Sequence, residues 1–224
     1  ITDLFGLQNM FQRRSATALI DELGQGRNIF VSPHYDDVAF SLGAMVKRSN
    51  GGLIINCFTR SEAAHTTIET APGETRIDRV SAVRKSEDET FAEVCALDRI
   101  DLGCLEPPPL GRQPRDLNGL QEDCGQVRTV LENALDQAVF MGSRERPVQI
   151  FCPAAFGQHV QHRATSIVFL DWLASRANLL RAREIKVYFY EDLPYSSRLL
   201  PRLNGIFRLA RETSRRFPSR KLKR

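Results

Sequence analysis

Five ionisable residues in two short stretches could build a catalytic site: His34, Asp36 and Asp37 in Ser32-Pro-His-Tyr-Asp-Asp37, and His159 and His162 in Gly157-Gln-His-Val-Gln-His162. Ionisable groups at a turn out of an apolar strand are costly to place unless something uses them. Two imidazoles and a carboxylate make a hydrolytic metal set, with three protein ligands and a fourth position for water. His34, Asp37 and one of His159 and His162 would supply that set. A metal lowers the pKa of such a water toward neutrality, and a spare carboxylate can take its proton. Asp36, not needed as a ligand, is the candidate base, and the remaining histidine could polarise a carbonyl or stabilise an oxyanion. The chain has four histidines, three of them in these stretches; the fourth, His65, reads as a surface residue. Zinc is the expected metal, with another divalent ion such as Fe(II) as the alternative.

The elements around these residues must bring two distant stretches together. Apolar runs with strand character occupy 28–32, 53–58, 99–103, 147–152 and 185–190. Apolar residues at helical spacing mark helices over 7–24, 36–47, 74–97, 121–141 and 163–180, with a last one around Leu203, Ile206, Phe207 and Ala210. Long polar or Pro- and Gly-rich segments, 59–74 and 104–119, are expected to shape a pocket. Strand and helix alternate, which predicts an α/β, Rossmann-like, mostly parallel sheet of five or slightly more strands with helices on both faces. In such sheets ligands gather beyond the carboxyl ends of strands, at the switch point of strand order. The His34/Asp37 turn follows strand one and the His159/His162 turn follows strand four, and a doubly wound order makes those strands neighbours.

The 224 residues suit a single domain over 1–224. No apolar run approaches the roughly 20 residues that span a bilayer, and no leader pattern is visible, so a cytoplasmic protein is expected. Five scattered cysteines without a CxxC pair suit a reducing compartment, and none is assigned to the metal. The net charge of +4 hides an asymmetry. Residues 198–224 hold ten Lys/Arg against Glu212 alone, which leaves 1–197 with a net charge of −5. A solvated, partly disordered tail at about 212–224 is expected, one that could touch an anionic surface. No nucleic-acid partner is expected.

Ser32-Pro-His-Tyr-Asp-Asp37 with Ser41-Leu-Gly43 resembles the signature of the PIG-L/LmbE-like N-deacetylases, usually a Pro-His-Pro-Asp-Asp run. Phe58-Thr59, Arg84-x-x-Glu87, Gly157-x-His159-x-x-His162-Arg163 and Tyr190-Glu-Asp-Leu-Pro194 extend the resemblance over about residues 28–195. It implies zinc-dependent removal of an acyl group, typically acetyl, from an amino sugar or related glycoconjugate. By the same resemblance His34, Asp37 and His162 match the metal ligands and Asp36 the general base. His159 matches the residue facing the tetrahedral intermediate. Arg84, Glu106 and Ser41 fall on the substrate side. Three positions depart from the pattern. Tyr35 replaces the usual proline, which should loosen the turn while keeping the ligand spacing. Val38 stands where many members carry a small or acidic residue, with little consequence expected. Gln161 replaces the aspartate common between the two histidines, and an amide would not raise the pKa of His159 as a carboxylate would.

Two other readings compete. His34-Tyr-Asp36 with a distant histidine also spells the facial triad of a non-haem Fe(II) oxygenase, a chemistry that needs Asp36 on the metal. A non-catalytic binding protein docking through its basic tail is the second. No Gly-x-Gly-x-x-Gly follows strand one, which disfavours a dinucleotide-binding oxidoreductase.

Overall fold

The computed structural model describes residues 24, 26–49, 51–64, 67–140, 146–183, 185–194, 197 and 199–217. The expected leading helix, save Gly24, together with His65 and residues 218–224, lies outside the described residues.

Five strands form one parallel sheet: β1 (Arg27–Ser32), β2 (Gly52–Arg60), β3 (Leu97–Leu105), β4 (Val148–Pro153) and β5 (Lys186–Tyr190). Their spatial order is β3-β2-β1-β4-β5, every pairing parallel. The helices between them are α1 (Asp37–Val46), α2 (Arg76–Cys95), α3 (Leu120–Phe140), α4 (Val160–Ser175), the short α5 (Ala177–Ala182) and α6 (Leu199–Arg216). This is the doubly wound arrangement expected from the alternation of strand and helix.

Strand side chains alternate between faces, so a strand covered on both sides must be apolar at nearly every position. Ile29, Val31, Ile55, Ile150 and Val187 join one core with Val127, Leu131 and Leu135 of α3 and Val168, Trp172 and Leu173 of α4. Phe30, Ile54, Phe151 and Tyr188 point the other way, into a smaller core with Val38, Leu42 and Val46 of α1 and Ala92 and Cys95 of α2. Phe30 and Tyr188 both stack on Phe151, with centroids 5.1 and 4.9 Å away. Val38, an unusual residue for the motif, is fully buried in this second core. All five cysteines are buried, free thiols.

Several boundaries differ from the sequence expectation. β2 and β3 run on to Arg60 and Leu105 and bond there, Glu106 N–H donating to the Arg60 carbonyl at 2.9 Å, so both irregular segments start later. The helix expected over 163–180 begins at Val160 and breaks at Arg176 into α4 and α5. The Val160 amide donates to the Pro114 carbonyl at 2.9 Å, which adds a first turn and pins α4 to the 106–119 segment. The basic end is not all solvated tail either, because α6 continues through Arg216. Arg216 pairs with Asp171 and Glu212, Arg202 with Glu191, and Arg208 donates to the Ala155 and Gly157 carbonyls. No helix among the described residues is long and apolar enough to cross a membrane.

Candidate metal centre

β1 and β4 are adjacent, and the chain turns back toward opposite faces of the sheet on either side of them. A crevice therefore opens at their carboxyl ends. His34 leaves β1 in the turn before α1, and Asp37 is the first residue of α1. His159 is the N-cap of α4, and His162 sits in that helix's first turn, not in the preceding loop. The imidazole centroids of His34, His159 and His162 lie 4.7 to 5.2 Å apart. All three rings and Asp37 are buried.

Asp37 Oδ2 is the point of convergence. It accepts from the His34 backbone N–H at 2.9 Å and lies 3.1 Å from His34 Nδ1 and 3.2 Å from His162 Nε2. The far side of each ring is committed elsewhere. His34 Nε2 lies 2.8 Å from Gln161 Oε1, and the Gln161 Nε2–H donates to the Leu105 carbonyl at 2.8 Å. A carbonyl can only accept, so the amide is oriented with its oxygen toward His34, whose Nε2 must carry the proton. His162 Nδ1 donates to Asp192 Oδ2 at 3.0 Å. With the outer nitrogens protonated, both inner nitrogens turn a lone pair toward the same carboxylate oxygen. That arrangement is favourable only when positive charge sits between them, as protons or as a metal ion.

Titration in the metal-free protein follows from this geometry. Burial opposes charge on His162, but Asp37 and Asp192 outweigh it and its pKa is pushed up to about 10. Burial likewise opposes charge on His34, yet Glu106 and Asp37 hold it above the ordinary imidazole value. Burial would raise the Asp37 carboxyl, but the two imidazoles hold it well below the carboxylate range. His159 goes the other way: burial, then the positive neighbours His34 and His162, push it far below 6.5 and keep it neutral. Gln161 does not raise the His159 pKa, as expected of an amide; its side chain bonds His34 instead, and His159 is held neutral by burial and by its charged neighbours.

The donor set fits a divalent cation. Ligand atoms around a tetrahedral ion at about 2.0–2.1 Å lie about 3.3 Å from one another. Asp37 Oδ2 is about that far from both inner nitrogens, and His159 groups with the same two imidazoles, the three offering ring nitrogens within 4.8 Å of one another.

The remaining expected residues surround this cluster. The side chain of Asp36, at the N-cap position of α1, makes no capping bond and is 44% exposed. Arg84 of α2 spans from Asp36 Oδ1, 3.3 Å away, to Glu106 Oε1, 2.5 Å away. Its guanidinium is partly buried, which opposes its charge, but Glu106 and Asp36 hold its pKa above the usual value. A pocket beside Asp36 is lined by Tyr35, Phe40, Arg84, Glu87 and Phe91. Ser41 is placed one turn past Asp37, where its Oγ accepts from the Leu193 amide at 3.0 Å. It ties α1 to the loop after β5. Tyr35 does not loosen the turn: its ring is buried, its hydroxyl donates to Asp101 Oδ2 at 3.1 Å, and Arg99 covers it. Asp192 falls within the Tyr190-Glu-Asp-Leu-Pro194 stretch but has no role of its own in the sequence reading, although an acid two residues past a buried strand, at the site end of the sheet, is a readable signal.

Residues 29–173 match the family model described as PIG-L, GlcNAc-PI de-N-acetylase, which is more than half of the chain. The chain belongs to the PIG-L family. A curated relative of this PIG-L chain is the 2'-N-acetylparomamine deacetylase of Streptomyces fradiae, 30% identical over 189 residues. That match takes in 80% of this chain and 61% of the relative, so the chain spans about three fifths of its length. Among solved structures, the deacetylase of the A40926 pseudoaglycone superposes with a TM-score of 0.53 at 17% identity, over 85% of this chain and 83% of that one. A deacetylase solved in complex with teicoplanin gives 0.54 at 16% identity, over 86% and 88%. At these identities the likeness is one of fold, and the PIG-L chain has the LmbE-like α/β architecture.

Proposed function

We propose that this chain is a metal-dependent N-deacetylase that hydrolyses the acetamide of an amino sugar or amino-sugar glycoside. His34, Asp37 and His162 would hold the ion, zinc in this reading. The observation that carries it is Asp37 Oδ2 within 3.2 Å of two imidazole nitrogens whose opposite nitrogens are engaged by Gln161 and Asp192. When bound, the cation supplies Lewis acidity, activating a water and polarising the acyl carbonyl.

The chain's own residues do the rest. Asp36 takes a proton from the attacking water and returns it to the leaving nitrogen, so amide and water become acetate and amine. Its partial exposure at the mouth of the crevice suits a group that must meet substrate. Arg84, held by the buried Glu106 carboxylate, steers Asp36 and presents donors to the substrate. His159, kept neutral, donates an N–H to the developing oxyanion without itself titrating. The exposed Phe40 ring and the half-buried Phe91 ring beside Asp36 offer apolar faces to a sugar ring, and Glu87 an acceptor for its hydroxyls.

The amino-sugar assignment is supported by the Streptomyces fradiae relative, a 2'-N-acetylparomamine deacetylase, and by membership of the GlcNAc-PI de-N-acetylase family. The oxygenase reading needs Asp36 in the cluster, whereas its Oδ1 faces Arg84, and the sheet is parallel α/β. Docking through basic residues is disfavoured where Arg202 and Arg216 are already paired with acids of this chain. The test is acetate release across N-acetylated monosaccharides, aminoglycosides and glycopeptides, with metal content measured on the same sample. Release from amino-sugar acetamides by metal-loaded protein alone is expected; an inert metal-loaded protein overturns the reading.

A further inference from the structure

Asp192 is an acid shut off from solvent. It lies in the loop after β5, fully buried, and both carboxylate oxygens are used. Oδ1 accepts from the Phe156 amide at 2.9 Å and Oδ2 accepts from His162 Nδ1 at 3.0 Å. Phe156 belongs to the β4–α4 loop that ends in His159. The next residue along, Leu193, bonds through its amide to Ser41 of α1, the helix that begins with Asp37. One side chain therefore links the end of β5, the loop carrying one histidine and the helix carrying another.

We propose that Asp192 is a positioning residue: it fixes the proton of His162 on Nδ1, turns Nε2 toward Asp37, and thereby sets the affinity of the centre for its metal. The inference rests on the reading of His162 as a ligand and adds what makes it one. The chemistry is specific to a carboxylate. The site presents two donors, an amide N–H and an imidazole N–H, to one side chain, and a carboxylate has an acceptor for each. An asparagine of the same shape has one acceptor and two donors. If its oxygen stays on Phe156, its NH2 meets His162 Nδ1 and forces the other tautomer, with the proton on Nε2 where the ion must bind. If it flips, the Phe156 amide is left facing an NH2 in a buried loop. A carboxylate also makes the imidazole a stronger donor to the metal than a neutral acceptor would.

The test pairs zinc affinity with the protonation of His162. Zinc Kd is measured by competition with a chelating dye for the wild-type protein, Asp192→Asn and Asp192→Glu. The wild-type zinc complex is examined by 15N NMR of the histidine rings. Expected are a Kd raised about 10- to 100-fold in Asp192→Asn, a smaller rise in Asp192→Glu, and His162 protonated at Nδ1 in the wild-type complex. Wild-type affinity in a folded Asp192→Asn overturns the inference, as does a lowered metal-free melting temperature with unchanged Kd, the mark of a purely structural role. If Asp192→Asn does not fold, zinc found on Nδ1 of His162 in the wild-type protein overturns it. A wild-type chain that binds no zinc removes the metal reading itself, and this inference with it, which separates the two failures.

Discussion

Replacing Gly205 with alanine sets two opposing effects against each other at a point that touches the site. Gly205 lies inside α6, where alanine gains roughly 0.5–1 kcal/mol over glycine by reducing the freedom lost on folding. Its face is pressed against the β4–α4 loop, and an added Cβ would stand 2.5 Å from Phe156 Cα and 2.8 Å from Phe156 Cβ. Ordinary contact begins about 1 Å further out, and the obstacle is backbone, so the helix or the loop must move. Overpacking of this kind costs about 1–3 kcal/mol. The steric term wins, with a net loss of about 0.5–2 kcal/mol. For a chain of this size that lowers the melting temperature by roughly 1–8 °C. The displacement falls on Phe156, whose amide holds Asp192, so kcat/KM should fall as well. The control is Gly125→Ala in α3, exposed and with nothing within 4 Å of an added Cβ, where propensity acts alone and the protein should gain about 0.5–1 kcal/mol. Scanning calorimetry and initial rates on both variants decide it. A Gly205→Ala protein as stable as Gly125→Ala, with full activity, refutes the packing of α6 on the site loop.

Other perturbations separate the roles within the centre. Asp36→Ala should lose about 10²- to 10⁴-fold in kcat with metal content unchanged; retained turnover by steady-state assay contradicts the base assignment. Asp37→Ala should copurify without metal, as read by elemental analysis. Arg84→Met strands the buried Glu106 carboxylate and should cost about 3–5 kcal/mol in denaturant unfolding, part of it recovered by adding Glu106→Gln; a neutral effect means the pair is not buried. In the metal-free protein, a His162 pKa raised to about 10 means its ion pairs stabilise the fold fully below about pH 6.5 and are lost as pH rises through 10. A metal needs the neutral ring, so its affinity should change in the opposite sense, strengthening as pH rises toward 10. Calorimetric titration at pH 7 in buffers of different ionisation heat should report at least one proton released per ion, and no buffer dependence would contradict the geometry.

Much of this was legible because the relevant signals are local. Leu53-Ile-Ile-Asn-Cys-Phe58 can be apolar at all but one position only if both faces of the strand are covered, which points to a parallel sheet between helices. Once β1 and β4 are neighbours, His34 and His162 must share an end of the sheet. What stayed hidden depends on side-chain direction across long sequence distances. Gln161 is adjacent to His162, yet its position in the first turn of α4 aims it at His34 and Leu105, 127 and 56 residues away. Asp192 acts through a ring 30 residues earlier, and spacing alone offers no way to pair them. The arginines of α6 read as a charge run because their partners, Asp171, Glu191 and the carbonyls of the β4–α4 loop, are set by packing. Tyr35 looked like a loosened turn because its anchor, Asp101, belongs to another strand.

The central claim is that one cation sits among His34, Asp37 and His162 while Asp36 stays off it. Anomalous diffraction at the zinc edge from crystals grown with stoichiometric zinc tests that directly. The account predicts a single strong peak bounded by His34 Nδ1, the Asp37 carboxylate and His162 Nε2. A peak held by the three histidines without Asp37, one that takes in Asp36, or no peak in zinc-saturated crystals would contradict it.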